Sequence, residues 1–189
     1  MLKDLIQKTR SYRRFYQDEN IKEKQLRDLI DLARYSASAA NRQPLKYIIS
    51  NDEDRNNKIF STLSWAGYLT DWSGPKEGER PSAYIIMLGD KEISNNYWCD
   101  PGIAAQNILL GATEIELGGC IFGAVKKDML RKKLKIDDQY EILYVIALGN
   151  PKEKVIIEEV DKNGDIKYWR DEEGTHHVPK RKLDEIIIK

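Results

Sequence analysis

Leu26, Leu29, Ile30 and Ala33 recur at helical spacing in a run otherwise rich in charge, which predicts an amphipathic helix over residues 21–35. Asn20 followed by Glu23 reads as a capping box at its start. Before it, Leu2, Leu5 and Ile6 give a short N-terminal helix one apolar edge. LKYIIS, residues 45–50, reads as a strand. Asp52 or Asp54 caps a further helix whose buried edge is Ile59, Leu63 and Ala66. AYIIMLGD is apolar without alternation, as expected of a strand covered on both faces. Asp100-Pro101 opens a helix, and GIAAQNILLGATEIEL is apolar on most of its circumference, which predicts a central helix ending at Gly118-Gly119. CIFGAV is short and strand-like, KKDMLRKKLKI is a surface helix anchored by Leu130 and Leu134, and EILYVIALGNP is a deeply buried strand. Two alternating runs around Asn163-Gly164 predict a hairpin over residues 155–169. The terminal IIIK reads as a strand in need of a sheet edge, in its own chain or a partner's. Helices and strands follow one another without a regular βαβ rhythm, so the expected class is α+β: a single domain with a central mixed sheet wrapped by helices.

The chain has 189 residues, enough to bury a sizeable core. Its 31 basic and 31 acidic side chains cancel, so no net field favours nucleic acid or an anionic membrane. No apolar run is long enough to span a bilayer, and the first ten residues lack the apolar centre of a signal peptide. Cys99 and Cys120 are too few for a disulfide framework or a zinc site, which makes the cytoplasm the default location. Cys120, in a Gly-flanked apolar run, reads as a small core residue. Residues 71–82, DWSGPKEGERPS, form the longest run of breakers and charges and read as a mobile loop or lid.

Three stretches are candidates to converge on a ligand. Arg10, Arg13 and Arg14 fall within five positions beside Ser11, and guanidinium forks suit a phosphate; the plainer reading is a solvated basic face. Ser38, Asn41 and Gln43 place short hydrogen-bonding groups between a helix end and a strand, either as an ordinary connection or as a grip on a flat polar ligand. Lys180, Arg181 and Lys182 supply a second cationic cluster near the other end of the chain. Gly118, Gly119 and Gly123 bracket a strand that something approaches closely. No catalytic triad, Walker loop or dinucleotide fingerprint is present. The only histidines, His176 and His177, are neighbours that would point to opposite faces of a strand, so no metal site is expected of them.

RSYRRF, SASAANRQPLKYIIS, DPGIAAQNILLGATEIELGGCIFGA and PKRKLDEIII, in that order over nearly the whole chain, resemble the nitroreductase family of flavoproteins. The resemblance implies an α+β homodimer, its sheet largely antiparallel and its C-terminal strand reaching to the partner, with FMN held in clefts between subunits. It implies electron transfer from NADH or NADPH through FMN to a small-molecule acceptor such as a nitroaromatic or a quinone, by ping-pong exchange. By that resemblance Arg10, Ser11 and Arg13 hold the phosphate and pyrimidine side of FMN, with Lys180, Arg181 or Lys182 completing the phosphate site. Ser38 and Asn41 would stand beside the ring of the other subunit's flavin, with Gln43 in the QP that follows, and Gly118 and Gly119 would pass near the flavin. Thr9, Ala37 and Leu45 depart from the family's usual Arg, Pro and aromatic residue. A reductive dehalogenase or flavin-fragmenting enzyme of the same fold, distinguished by the lid over residues 65–82, and a non-catalytic flavin-binding dimer are the alternative readings. The flavin carries the chemistry, so no catalytic side chain is expected.

Overall fold

A computed structural model describes residues 1–188. Its centre is a five-stranded sheet in which β5 (Tyr140–Pro151) is flanked on one side by β3 (Ala83–Asp90), with β2 (Leu45–Ser50) beyond it. On the other side β5 pairs with β4 (Gly118–Phe122), and its end pairs with the two-residue β1 (Phe15–Tyr16). Every one of these ladders is antiparallel.

Side chains of β3 explain why its run is apolar without alternation. Ile85 and Met87 face the layer formed by α2 (Glu23–Arg34) and α4 (Asp100–Glu114), among Leu26, Leu29 and Ile108. Tyr84, Ile86 and Leu88 face the opposite layer, where α3 (Glu53–Phe60) and α5 (Lys127–Leu134) contribute Ile59 and Leu130. Both faces of the strand are therefore dry. A short helix, α1 (Leu2–Lys8), packs beside the end of α4, where the Thr9 hydroxyl lies 3.0 Å from that of Thr113.

Several element ends differ from expectation. The Lys22 N–H donates to the Gln25 side chain at 3.0 Å, so α2 starts at Glu23, two residues later than expected, and Asn20 is not its cap. Asp52 caps α3 by accepting the Arg55 N–H at 2.9 Å, and Leu63 and Ala66 are buried beyond that helix rather than on it. Helix α4 ends at Glu114, not at the glycine pair. Glu116 takes a left-handed conformation, and the Leu117 N–H returns to the Ala112 carbonyl.

Gly118 and Gly119 instead begin β4, and their small size serves packing. A Cβ on Gly119 would lie 2.8 Å from the Ala147 carbonyl oxygen and 2.6 Å from Leu109 Cδ2. Gly119→Ala is accordingly expected to cost about 1–3 kcal/mol by overpacking. The urea midpoint should fall at unchanged m-value, and a midpoint equal to wild type would show that the strand can give way.

The region after β5 folds differently from the predicted hairpin. β6 (Val155–Glu159) pairs in parallel with β8 (His176–Lys180), and β7 (Trp169–Arg170) joins the other edge of β8. Asn163-Gly164 does form a turn, with Gly164 at φ 74°, but the runs flanking it do not pair with each other. Turn chemistry acts over about four residues, whereas the choice of ladder belongs to a more distant strand. IIIK is likewise not a strand within this chain. Residues Leu183–Ile186 form one helical turn, α6, and Ile187 and Ile188 are exposed and enter no sheet of the chain; Lys189 lies outside the described residues.

The loop expected to be mobile is tied down in its second half. Gln17 Oε1 accepts the N–H groups of Gly78 and Arg80 at 2.9 and 3.1 Å, and Glu79 between them is buried. Its first half meets the small sheet, where the Arg170 guanidinium lies 4.3 Å from the centre of the Trp72 ring.

Candidate functional site

The segment joining α1 to β1 runs along the outer edge of β4. Ser11 bridges to Gly119, and the Tyr12 N–H donates to the Gly119 carbonyl at 3.0 Å. This attachment gives the three arginines of the segment different surroundings. Arg14 points to Glu79 and meets its carboxylate with two nitrogens, at 3.0 and 2.7 Å, while Lys152 approaches the same carboxylate at 3.3 Å. The hydrogen bond from Arg14 outweighs burial and pulls the Glu79 carboxyl down to about 2. Arg14 is thus a structural residue.

Arg10 and Arg13 turn the other way, into a cavity of about 370 Å³ shared with Ser11, Gln106, Ile121 and three residues of β8. Those three are His176, Val178 and Lys180, every second residue of the strand, because successive side chains leave opposite faces. Among the described residues no carboxylate pairs with Arg10, Arg13 or Lys180. Arg10 donates to the Ile6 carbonyl at 2.8 Å, and burial lowers its pKa. Arg13 donates to the Ser11 carbonyl at 3.2 Å and to His176 at 3.1 Å, with its guanidinium 4.8 Å from the centre of the Tyr168 ring. The nearby carboxylate, Glu153, has a fully buried side chain and is already engaged. It accepts the backbone N–H groups of Arg13 and Arg14 and holds Arg170 Nη2 at 2.7 Å. The cavity therefore carries positive charge without an internal counter-charge, an arrangement suited to an anion.

His176 and His177 divide as their alternation predicts. His177 lies on the other face, stacked 3.9 Å from Trp169, with Glu158 at 3.1 Å from Nδ1 and Asp171 at 3.2 Å from Nε2. Burial alone would lower its pKa, but Asp171 and Glu158 outweigh it and raise the value. Burial also pushes the Cys120 thiol up, which keeps it protonated in the core.

Ser38, Asn41 and Gln43 line no part of the basic cavity of their own chain. Ser38 and Gln43 line a second site at the start of α4, a cavity of about 280 Å³ shared with Ile30, Leu45 and Tyr47; Asn41, in the same turn, does not line it. The buried Asp100 organises this turn. It accepts the Ser38 hydroxyl at 2.6 Å and the Ala39 N–H at 3.1 Å, and Ser38 Oγ in turn accepts the Gln43 N–H at 2.9 Å. Ala40, Asn41 and Gln43 all take left-handed φ angles between 51° and 52°. Three strained non-glycine residues in so short a stretch persist only because the surrounding bonds over-determine them. The two cavities are successive stations along one helix. Asp100 lines the second and Gln106 the first, about 9 Å apart along the α4 axis.

The remaining candidates separate. Gly118 and Gly119 lie beneath the Tyr12 segment, packed by Tyr12, Pro151 and Leu109. Arg181 and Lys182 face a different depression beside Glu159 and Glu185, with Lys182 Nζ 3.7 Å from Glu159. Of Lys180, Arg181 and Lys182, only Lys180 enters the cavity with Arg10 and Arg13. His176, Tyr168 and Gln106 also line it but escaped the sequence reading; the His-x-Val-x-Lys alternation was the available signal for the first.

A sheet sandwiched by helices, with a basic cavity at one edge and a polar turn at the head of the central helix, places the chain among known proteins. The model of the nitroreductase family matches residues 6–69 and 76–150. This chain belongs to the nitroreductase family. An Archaeoglobus fulgidus protein with the provisional name NADH dehydrogenase/NAD(P)H nitroreductase is 26% identical over 161 residues, covering 81% of this chain and 87% of that protein. A Parabacteroides distasonis crystal structure bearing the same provisional name is 25% identical, with a TM-score of 0.66 over 80% of this chain and 87% of that one. A Desulfovibrio desulfuricans protein, provisionally a nitroreductase and solved in complex with FMN, shares the fold. Its TM-score is 0.71 at 22% identity, covering 100% of this chain and 95% of that one. Among the described residues no helix is long and apolar enough to cross a membrane.

Proposed function

We propose that this chain is an FMN-dependent oxidoreductase that takes electrons from NADH or NADPH and delivers them, by ping-pong exchange, to a nitroaromatic, quinone or related small acceptor. The observation that carries this reading is the cavity in which Arg10, Arg13 and Lys180 converge without a carboxylate partner, in a chain of the nitroreductase family. The residues fit the cofactor's phosphate: two guanidinium forks and an ammonium supply charge, and Ser11 supplies a hydroxyl. When bound, FMN supplies the two-electron chemistry. The chain's own part is to hold the phosphate end, to orient the ring, and to offer neutral hydrogen-bonding groups at its edge.

The turn with Ser38, Asn41 and Gln43 lies outside the basic cavity of its own chain, so in this reading it serves the flavin of a second copy, and the working unit is a homodimer. The exposed apolar residues Ile186, Ile187 and Ile188 support such an assembly.

The test is the visible spectrum of the purified protein during anaerobic addition of NADH and then NADPH, with the mass measured by light scattering. A bound flavin spectrum that bleaches with one donor and returns on adding a quinone is expected, at a dimeric mass. A protein that stays colourless after incubation with FMN would overturn the reading.

A further inference from the structure

We infer that His177 is a positioning residue for the basic cavity: as an imidazolium held between Glu158 and Asp171, it clamps the two-residue strand β7 to β8 and so keeps Tyr168, the residue before β7, in the cavity wall. The role rests on the proposed function above for its ligand and on the small sheet for its geometry.

Period-two alternation sets Glu158 of β6, His177 of β8, and Trp169 and Asp171 at β7 on one face of that sheet, away from the cavity. Both ring nitrogens of His177 meet carboxylate oxygens there, Nδ1 at 3.1 Å from Glu158 Oε2 and Nε2 at 3.2 Å from Asp171 Oδ2. An ionised carboxylate only accepts, and a neutral imidazole carries a single N–H. Only the doubly protonated ring satisfies both contacts. The second oxygen of each carboxylate is already engaged: Glu158 Oε1 accepts the Trp169 indole N–H at 3.0 Å, and Asp171 Oδ1 accepts the Thr175 N–H at 2.7 Å.

The remaining surroundings add no competing charge. Across the ladders His177 faces Ile156 and Trp169, and the indole stacks on its ring. Its neighbour His176 points to the opposite face, where burial and then Arg13, Arg170 and His177 lower its pKa to about 4 and leave it neutral. Arg170, on that same opposite face, is paired with Glu153. Glu158 and Asp171 are thus the charges that bear on His177, and they outweigh the burial that opposes its ionisation.

Strand β7 needs such a clamp. It meets β8 through two residue pairs, Trp169 with His177 and Arg170 with His176, and so short a ladder is marginal by itself. Arg170 pins one face of it to Glu153 at 2.7 Å, and His177 pins the other through Asp171. Tyr168 immediately before it lines the cavity, its ring 5.2 Å from that of His176 and 4.8 Å from the Arg13 guanidinium. Loss of one ring proton leaves either Glu158 or Asp171 facing a lone pair. Because the folded-state pKa is raised above the ordinary 6.5, the clamp is complete below that pH and is lost as pH rises through the folded value.

The first measurement uses the ligand-free protein: side-chain nitrogen NMR of His177, and amide hydrogen exchange of Trp169–Asp171 corrected for the intrinsic effect of pH. Below pH 6.5 both ring nitrogens should carry protons, and exchange should quicken about fivefold or more as the ring titrates. Glu158→Gln and Asp171→Asn should each move both transitions to lower pH. The second measurement is the rate of FMN release across the same interval. The FMN phosphate gains its second charge near pH 6 in every variant, so the readout is the ratio of His177→Gln to wild type. Gln has a donor at one end only, and the ratio should be about threefold or more at low pH and fall toward one as the wild-type clamp opens. On a Tyr168→Ala background it should stay near one throughout. A singly protonated His177 below its ordinary pKa, exchange that ignores its titration, or a release ratio independent of pH would overturn the inference, and the wild-type titration decides if the Gln variant does not fold. A protein that binds no FMN would defeat the proposed function, and the NMR and exchange results would still decide the clamp.

Discussion

Arg13→Ala is expected to weaken FMN binding roughly 100-fold while leaving the protein folded. Arg13 contributes a half-buried charge to the cavity through contacts that are all neutral on the protein side, so the anion is its natural counter-charge. Losing one partner of such a charge-assisted, partly desolvated pair costs about 2–3 kcal/mol, which is the stated change in affinity. Stability should hardly move, because the side chain makes no ion pair in the protein alone. The check is an FMN titration at two salt concentrations together with a thermal melt. An affinity within threefold of wild type would remove Arg13 from the phosphate site, and Arg10 and Lys180 would have to carry it.

Glu79→Ala should do the reverse, destabilising the fold by about 3 kcal/mol. The Glu79 side chain is 6% exposed and receives both Arg14 and Lys152, so its loss leaves two cations facing a buried gap. The figure stays at the low end for a broken buried pair because Arg14 is 29% exposed and water can reach it. Equilibrium urea unfolding measures the loss, and a change below 1 kcal/mol would mean that solvent replaces the carboxylate.

The same pair predicts an acid limb. The folded-state pKa of Glu79 is depressed from its ordinary 4.5 to about 2. The unfolded chain therefore binds the proton more readily over that interval. The contribution is complete above about pH 4.5 and is lost as pH falls toward 2. Glu79→Gln should flatten this part of the stability–pH curve, and an unchanged slope would place the acid sensitivity elsewhere.

The two variants separate functions that the sequence RSYRR presents as one basic cluster. Nothing in that run distinguishes Arg13 from Arg14. The difference arises because Glu79, far along the chain, stands opposite one of them and His176 opposite the other. Lys180, Arg181 and Lys182 pose the same problem at the other end. Strand alternation sends Lys180 into the cavity, and the end of β8 turns the next two toward Glu159 and Glu185.

Local signals were legible where the physics is local. The 3.6-residue spacing of Leu26, Leu29 and Ala33 marked α2, the unbroken apolar run marked β3 as the strand covered on both sides, and Asp52 marked the start of α3. Hydrophobic burial follows the backbone period, so a periodic sequence announces its own element and its buried face. The turn at Asn163-Gly164 was equally visible, because the left-handed conformation is a property of those residues.

Tertiary structure alone decided which strand each neighbour of that turn would pair with, since β8 competes for β6 from seventeen or more residues away. It decided that Gly118 and Gly119 serve the approach of Tyr12 and Leu109 rather than the end of α4, because a glycine records only that space is short, not what fills it. It also left the Ser38–Gln43 turn outside the basic cavity of its own chain. The amino-acid sequence supplies the charges and donors of an anion site. Which charges stay uncompensated depends on carboxylates and ring nitrogens that only the folded chain brings within reach.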